Sequence, residues 1–383
     1  MGKFAAMLNS LNRSGPAQEP GREPGESRAI LRDLTFLRDP MKRRPLLLLL
    51  PLAVLVACGG NTKPTAPVAT VVAPPPVQPT PPPKIKVGLA LGGGAAKGFA
   101  HIGVIKMLEA NGIQPVVVSG TSAGSVVGAL YASGMDAFQM QRIAFDLDES
   151  RIRDVRLFSG GLVQGLALQD YVNEQVGKRK LQDMKKPLAV VATKLETGER
   201  AVFVRGNTGQ AVRASSSIPG VFEPVTIGKA TYVDGGVVSP VPVDAARQLG
   251  ADFVIAVDIS SKAPGTRPGS MLGIVNQSIS IMGQKLGEQE LARADVVIRP
   301  KVNEIGAADF AQKNNAILEG ERAALAALPQ IRARLDQMQK ARMAAQASRN
   351  APVAPPPPPC DDSKFRLGKL WGSDKCEDQT QAQ

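Results

Sequence analysis

Aromatic residues make up only 4% of the 383 residues, and there is a single tryptophan. No basic patch is interleaved with aromatics, which argues against a nucleic-acid binder. The apolar run from Pro45 to Ala57 falls short of the roughly 20 residues that span a bilayer. Histidine occurs once, at His101. No internal repeat is visible. Against these shortages stands a hydrophobic fraction of 43%, enough for a buried core and too much for wholesale disorder. The formal net charge of +12 is spread along the chain, and a diffuse excess of this kind gives a mild pull towards anionic membrane surfaces. The 31 prolines are too many for one compact domain. They gather in two tracts, which read as tethers and not core.

The first landmark is Lys42-Arg43-Arg44, followed by the apolar run and then by Leu55-Val56-Ala57-Cys58-Gly59. A basic region ahead of a short apolar one is the pattern of an export signal. The stretch ending in Cys58 resembles a bacterial lipoprotein box, which implies cleavage before Cys58 and lipid on its sulfur. Residues 41–57 are then the signal peptide. A plain secretory signal or an uncleaved anchor is the alternative. Residues 1–40 are polar and without periodicity, so translation is expected to begin at Met41. With Cys58 lipidated, Cys360 and Cys376 remain, in a compartment where a disulfide can persist. A bridge between them and two free thiols are both open readings. Gly59 follows the cysteine where an aspartate would retain a lipoprotein. By that resemblance the protein is expected at the periplasmic face of the outer membrane.

Residues 58–83 form a tether: between 61 and 83 stand Pro64, Pro67, Pro74, Pro75, Pro76, Pro79, Pro81, Pro82 and Pro83. Such a run favours polyproline II and would reach about 70 Å at roughly 3.1 Å per residue. A second tract, Pro355 to Pro359, lies in a polar tail expected over 346–383. Between them, residues 84–345 alternate strand and helix. Strands are expected at 85–91, 115–119, 188–192, 201–204, 253–257 and 296–298, with helices at 99–111, at 123–133 and after Asp309. The strands are continuously apolar, which suggests a sheet covered on both faces by helices.

Three motifs carry chemistry. Gly120-Thr121-Ser122-Ala123-Gly124 lies between a strand and a helix, where paired glycines permit a sharp turn with an exposed serine at its apex. Ser122 is either a nucleophile or a helix N-cap. A serine nucleophile usually works through histidine. His101 lies in the first helix, ahead of the serine, where it reads as a packing residue, so a carboxylate must act directly if the serine is catalytic. Asp234, in Tyr232-Val233-Asp234-Gly235-Gly236, is the candidate base; an Asp-Gly hairpin turn is its plain alternative. Gly92-Gly93-Gly94-Ala95-Ala96-Lys97-Gly98 offers backbone amides. Those of Gly93 and Gly94, with that of Ala123, are candidates for an oxyanion hole. A nucleotide loop fits poorly because the spacing is not Gly-x-Gly-x-x-Gly. Lys97 is expected to shape this loop.

Glycine loop, Gly-x-Ser-x-Gly and Asp-Gly-Gly, in that order, resemble the patatin-like phospholipases, in particular their bacterial single-domain branch. The resemblance runs from about Ile85 to about Leu328 and includes Ala214-Ser215-Ser216-Ser217-Ile218-Pro219-Gly220, the stretch from Asp234 to Pro242, Leu249-Gly250-Ala251-Asp252 and Asp309-Phe310. It implies a three-layer α/β/α fold with a central, mostly parallel sheet. It also implies a dyad of Ser122 as nucleophile and Asp234 as base, hydrolysing membrane phospholipid or other acyl-ester lipids without cofactor, metal or nucleotide. Ser239 stands where many members have asparagine. The alternative is a weakly catalytic or non-catalytic envelope scaffold that binds lipid on the same fold.

Overall fold

The computed structural model describes residues 84–147, 163–260, 269 and 271–350. The expected signal segment, Cys58, the tether up to Pro83, Cys360 and Cys376 lie outside the described residues. Eight strands form one sheet: β1 (Val87–Leu91), β2 (Val117–Thr121), β3 (Leu188–Lys194), β4 (Arg200–Phe203), β5 (Val225–Ile227), β6 (Ala230–Asp234), β7 (Phe253–Val257) and β8 (Val296–Ile298). Their order is β5-β6-β3-β2-β1-β7-β8, with β4 also beside β3. The pairs β1–β2, β1–β7, β2–β3 and β7–β8 are parallel. Only β4, β5 and β6, at one end, pair antiparallel.

Around the sheet lie α1 (Phe99–Ala110), α2 (Ala123–Ala132), α3 (Ala137–Asp146), α4 (Leu166–Gln175), α5 (Thr208–Ser215), α6 (Val243–Gln248), α7 (Met271–Leu291) and α8 (Lys313–Asn350). The two-residue period of a strand sorts its side chains between two faces. On one face Leu89, Leu91, Phe253, Ile255 and Val257 pack with Ile105 of α1, Val127 of α2 and Ile317 of α8. On the other, Ala90, Val254 and Ala256 pack with Val243 and Ala246 of α6 and Leu291 of α7. Helices therefore cover both faces, giving the three-layer α/β/α arrangement. The second face is thinner because small residues line it. A Cβ on Gly88 would stand 2.5 Å from that of Ala251, so the chain between α6 and β7 lies almost on the strand.

Local signals agree with these bounds. Gly112, at φ 76°, follows the end of α1, and Asp136 and Gln139 form a reciprocal capping box at the start of α3. Helix α8 runs to Asn350, past the boundary expected at 345. Residues 346–350 contain no helix breaker, whereas Pro352 disfavours helical backbone at the residue before it.

Helices α1 and α8 touch through backbone. A Cβ on Gly103 would lie 2.0 Å from Ile317 O, and one on Gly320 the same distance from Ala100 O. Overpacking of this kind costs about 1–3 kcal/mol or more. Gly103→Ala is expected to lower the thermal midpoint by about 2–4 °C for each kcal/mol lost, as measured by scanning calorimetry. An unchanged midpoint would mean that the crossing has slack.

Candidate active site

Strand register brings the two candidate groups together. Thr121, the last residue of β2, is opposite Val191 of β3. Asp234, the last residue of β6, is opposite Ala192. Strand β4 pairs with Val190 to Thr193, overlapping both of the other partners. Each residue has two pairing edges, so β4 holds one edge of β3 while β2 and β6 share the other. Running towards one another, they end at adjacent residues of β3. Ser122 is the next residue after β2.

Ser122 has φ 53° and ψ −124°, a backbone strain that side chains rarely tolerate and that marks functional turns. The flanking glycines are sterically required. A Cβ on Gly120 would come within 2.4 Å of Gly124 O, and one on Gly124 within 2.2 Å of Leu91 O. Although Ser122 stands at the N-cap position of α2, its hydroxyl makes no capping bond; it lies near enough to the Asp234 carboxyl to lower that group's pKa. Asp234 does not form a hairpin turn. It opens a 3-10 turn over Gly235–Val237, and Oδ1 accepts from Gly236 N at 2.7 Å. A Cβ on Gly235 would lie 2.2 Å from Val191 O, so only glycine lets that turn hug β3. Burial pushes the Asp234 pKa up to about 6, against the lowering effect of the Ser122 and Gly236 hydrogen bonds.

The serine run after α5 does more than turn the chain. Ser215 Oγ accepts the Ser122 N–H at 2.9 Å and donates to Val191 O at 2.5 Å. Ser217 O accepts the Asp234 N–H at 2.8 Å. One short segment thus holds the backbone of both candidate groups. Three adjacent serines were its only sequence signal, and their partners lie far away along the chain.

Glycine-loop placement differs in one respect from expectation. Gly92 N donates to Val257 O and Gly93 N to Pro240 O, both at 3.0 Å. The Gly93 amide is therefore occupied, because the loop is stitched to its neighbours through it. Among the described residues, the N–H groups of Gly94, Ala95 and Ala123 donate to no other group. Gly93 still serves by its smallness, since a Cβ there would be 3.2 Å from that of Ser122; Gly98 likewise makes room for Ala123. Lys97 is 2% exposed, and burial lowers its pKa.

His101 lies beneath this loop, fully buried, with Nε2 2.8 Å from Gly92 O. Burial pushes its pKa down to about 4, outweighing the raising effects of the Gly92 carbonyl and the Asp258 charge. The imidazole is neutral and donates to the loop.

Ser122 and Ala123 border a cavity of about 460 Å³ whose other walls include Phe99, Val127, Met140 and Tyr171. Ser216 also borders it, and its buried hydroxyl has no hydrogen-bond partner. Among the described residues, no three His, Cys, Asp or Glu side chains gather to hold a metal, and no helix is long and apolar enough to cross a membrane.

Residues 89–247 match the family "Patatin-like phospholipase". Over this segment the chain is similar to the patatin-like phospholipases. An uncharacterised NTE-family protein of Mycobacterium tuberculosis is 35% identical over 182 residues, covering 47% of this chain and 51% of the relative. The mouse patatin-like phospholipase domain-containing protein 6 is 32% identical over 184 residues, 46% of this chain and 14% of that protein. The chain thus spans about half the length of the first relative and a small part of the second. Among solved structures, VipD from Legionella pneumophila covers 67% of both chains at 16% identity with a TM-score of 0.45.

The raised pKa has a stability consequence. A raised carboxyl contributes stability below the unfolded value of 3.8, which is lost as pH rises through about 6. Above that, the buried charge of Asp234 costs on the order of 3 kcal/mol relative to an unperturbed group. Asp234→Asn is therefore expected to melt at least as high as the wild type at pH 8, and to lose that advantage at pH 4. Thermal melts at both values check this; a variant less stable at pH 8 would contradict it.

Proposed function

We propose that the patatin-like domain is a serine acyl hydrolase for lipid esters, of the phospholipase A or lysophospholipase type, working through a Ser122–Asp234 dyad. The observation that carries the proposal is the convergence of Ser122 and a buried Asp234 at adjacent residues of β3, at the wall of an apolar cavity. The cavity would take the acyl chain and leave the ester carbonyl at Ser122. Asp234 accepts the hydroxyl proton as Oγ bonds to the carbonyl carbon. The tetrahedral oxyanion is stabilised by free amides beside the nucleophile, those of Gly94 and Ala123. Collapse expels the alcohol, which takes the proton back from Asp234. Water, deprotonated by the same carboxylate, then attacks the acyl-enzyme and releases the fatty acid and Ser122. Ser216 Oγ, buried without a partner, is available to the polar atoms of the ester.

The dyad needs an ionised Asp234, so kcat/KM is expected to rise with pH through about 6 and to level off above. Ser122→Ala and Asp234→Asn should each abolish hydrolysis of a short acyl ester, whereas His101→Gln should retain most of it. A folded His101→Gln variant without activity would make His101 essential and sink the dyad.

The same proposal places the domain on a membrane through lipid on Cys58, at the periplasmic face of the outer membrane. Several acyl chains hold a protein far more firmly than one, and a tether raises the effective concentration of enzyme at the bilayer. Cys58→Ser should move the protein into the soluble fraction with unchanged turnover of a soluble ester. Recovery of the wild type wholly in the inner membrane would contradict the sorting.

A further inference from the structure

We propose that Glu290 is a positioning residue for the catalytic loops, acting through the strap Ser239–Pro242; this rests on the hydrolase reading above. The strap is tied to each part of the site. Ser239 N donates to Gly235 O at 2.8 Å, behind Asp234. Ser239 O accepts from Thr121 Oγ1 at 2.8 Å, the residue before Ser122. Pro240 O takes the Gly93 N–H at 3.0 Å. Pro242 O takes Ser119 Oγ at 2.7 Å. With prolines at 240 and 242, the strap has few N–H groups of its own and cannot be held by a strand ladder.

Glu290 supplies the missing hold. It lies near the end of α7, is 4% exposed, and accepts from Ser239 Oγ at 2.5 Å and from Val241 N at 2.8 Å. Its two carboxylate oxygens therefore grip the strap on either side of Pro240, whose carbonyl fixes the glycine loop. The helix lies directly against the strap: a Cβ on Gly287 would be 3.4 Å from Pro240 Cγ, and one on Gly283 the same distance from Gly236 O, both ordinary van der Waals contacts. Arg200 Nη1 lies 3.9 Å from Glu290 Oε1 and 3.3 Å from Asp244 Oδ2, and Arg293 Nε is 2.8 Å from Asp244 Oδ1. These charges balance a carboxylate that would otherwise be costly to bury. Glu290 touches none of the reacting groups. Its effect passes through Pro240 and Gly93 to the amides beside Ser122, so its loss should appear in the chemical step and not in substrate binding.

The test uses the full chain with Glu290→Ala, Glu290→Gln and Ser239→Ala, beside wild type and Ser122→Ala. The readouts are kcat and KM on a soluble short-chain ester, the rate of labelling by a fluorophosphonate, and the thermal midpoint. Glu290→Ala is expected to lower kcat and the labelling rate by roughly tenfold to a hundredfold, less than outright loss of an oxyanion donor, with KM within about twofold. Glu290→Gln should recover most of the rate, because its amide can accept from Val241 N and donate to Ser239 Oγ. Ser239→Ala should fall between them, and it decides the matter together with Glu290→Gln if Glu290→Ala does not fold. Folded variants with unchanged kcat, a loss confined to KM, or a Gln variant as impaired as the Ala variant would each overturn the proposal. A wild type no more active than Ser122→Ala overturns the hydrolase reading instead, and the proposal falls with it.

Discussion

Strand β3 offers one edge to two strands in succession. The first half of that edge pairs parallel with β2 and the second half antiparallel with β6, and the change occurs between Val191 and Ala192. Neither β2 nor β6 can continue past this point without running into the other. Both chains must leave the sheet there, one into the turn of Ser122 and one into the turn of Gly235. The hydroxyl and the carboxyl are thereby delivered to one place by hydrogen-bonded backbone and not by flexible loops. A site built on the ends of strands holds its geometry better than one built on loops alone. The strain at Ser122 is borne by that frame, with the Ser215 hydroxyl holding the strained residue's own N–H.

Burial sets the chemistry of the pair. A carboxyl with few neighbours in water would stay ionised far below neutrality and be a weak base. Here desolvation raises it, and two hydrogen bonds keep the rise moderate. A carboxyl titrating near pH 6 is ionised under neutral conditions and yet, in the proposed dyad, able to hold a proton briefly. The same burial holds His101 neutral at physiological pH. The lone histidine holds the carbonyl of the first loop glycine.

The two faces of the sheet divide the labour. Large side chains on the face of α1, α2 and α8 make most of the core, together with much of the wall of the cavity beside Ser122. The opposite face is lined mostly by alanine and valine, with glycine at Gly88, and the proline strap and α6 lie close to the strands there. Ser119 and Thr121 point to that thin face and bind strap carbonyls. Close approach is what makes the strap a link between the glycine loop, the strand leading to Ser122 and the turn after Asp234.

Much of this was legible in the chain itself. Continuous apolar runs such as 253–257 can be satisfied only between two covering layers, so the layered fold follows from composition along the strands. The glycines around Ser122 and after Asp234 announce turns that no larger residue can make, and a single histidine at position 101 leaves a carboxylate as the available base. These are local properties, and sequence determines them directly. What lay out of reach depends on which segments meet. No local pattern says that β2 and β6 share an edge of β3, that Ser215 reaches Ser122 across 93 positions, or that Glu290 holds a strap 49 to 51 residues away. Nor does a run of three glycines reveal which amide is free, for the Gly93 N–H is taken by a carbonyl from the far side of the fold. Hydrogen-bond partners over such separations are chosen by packing, and packing exists only once the tertiary structure has formed.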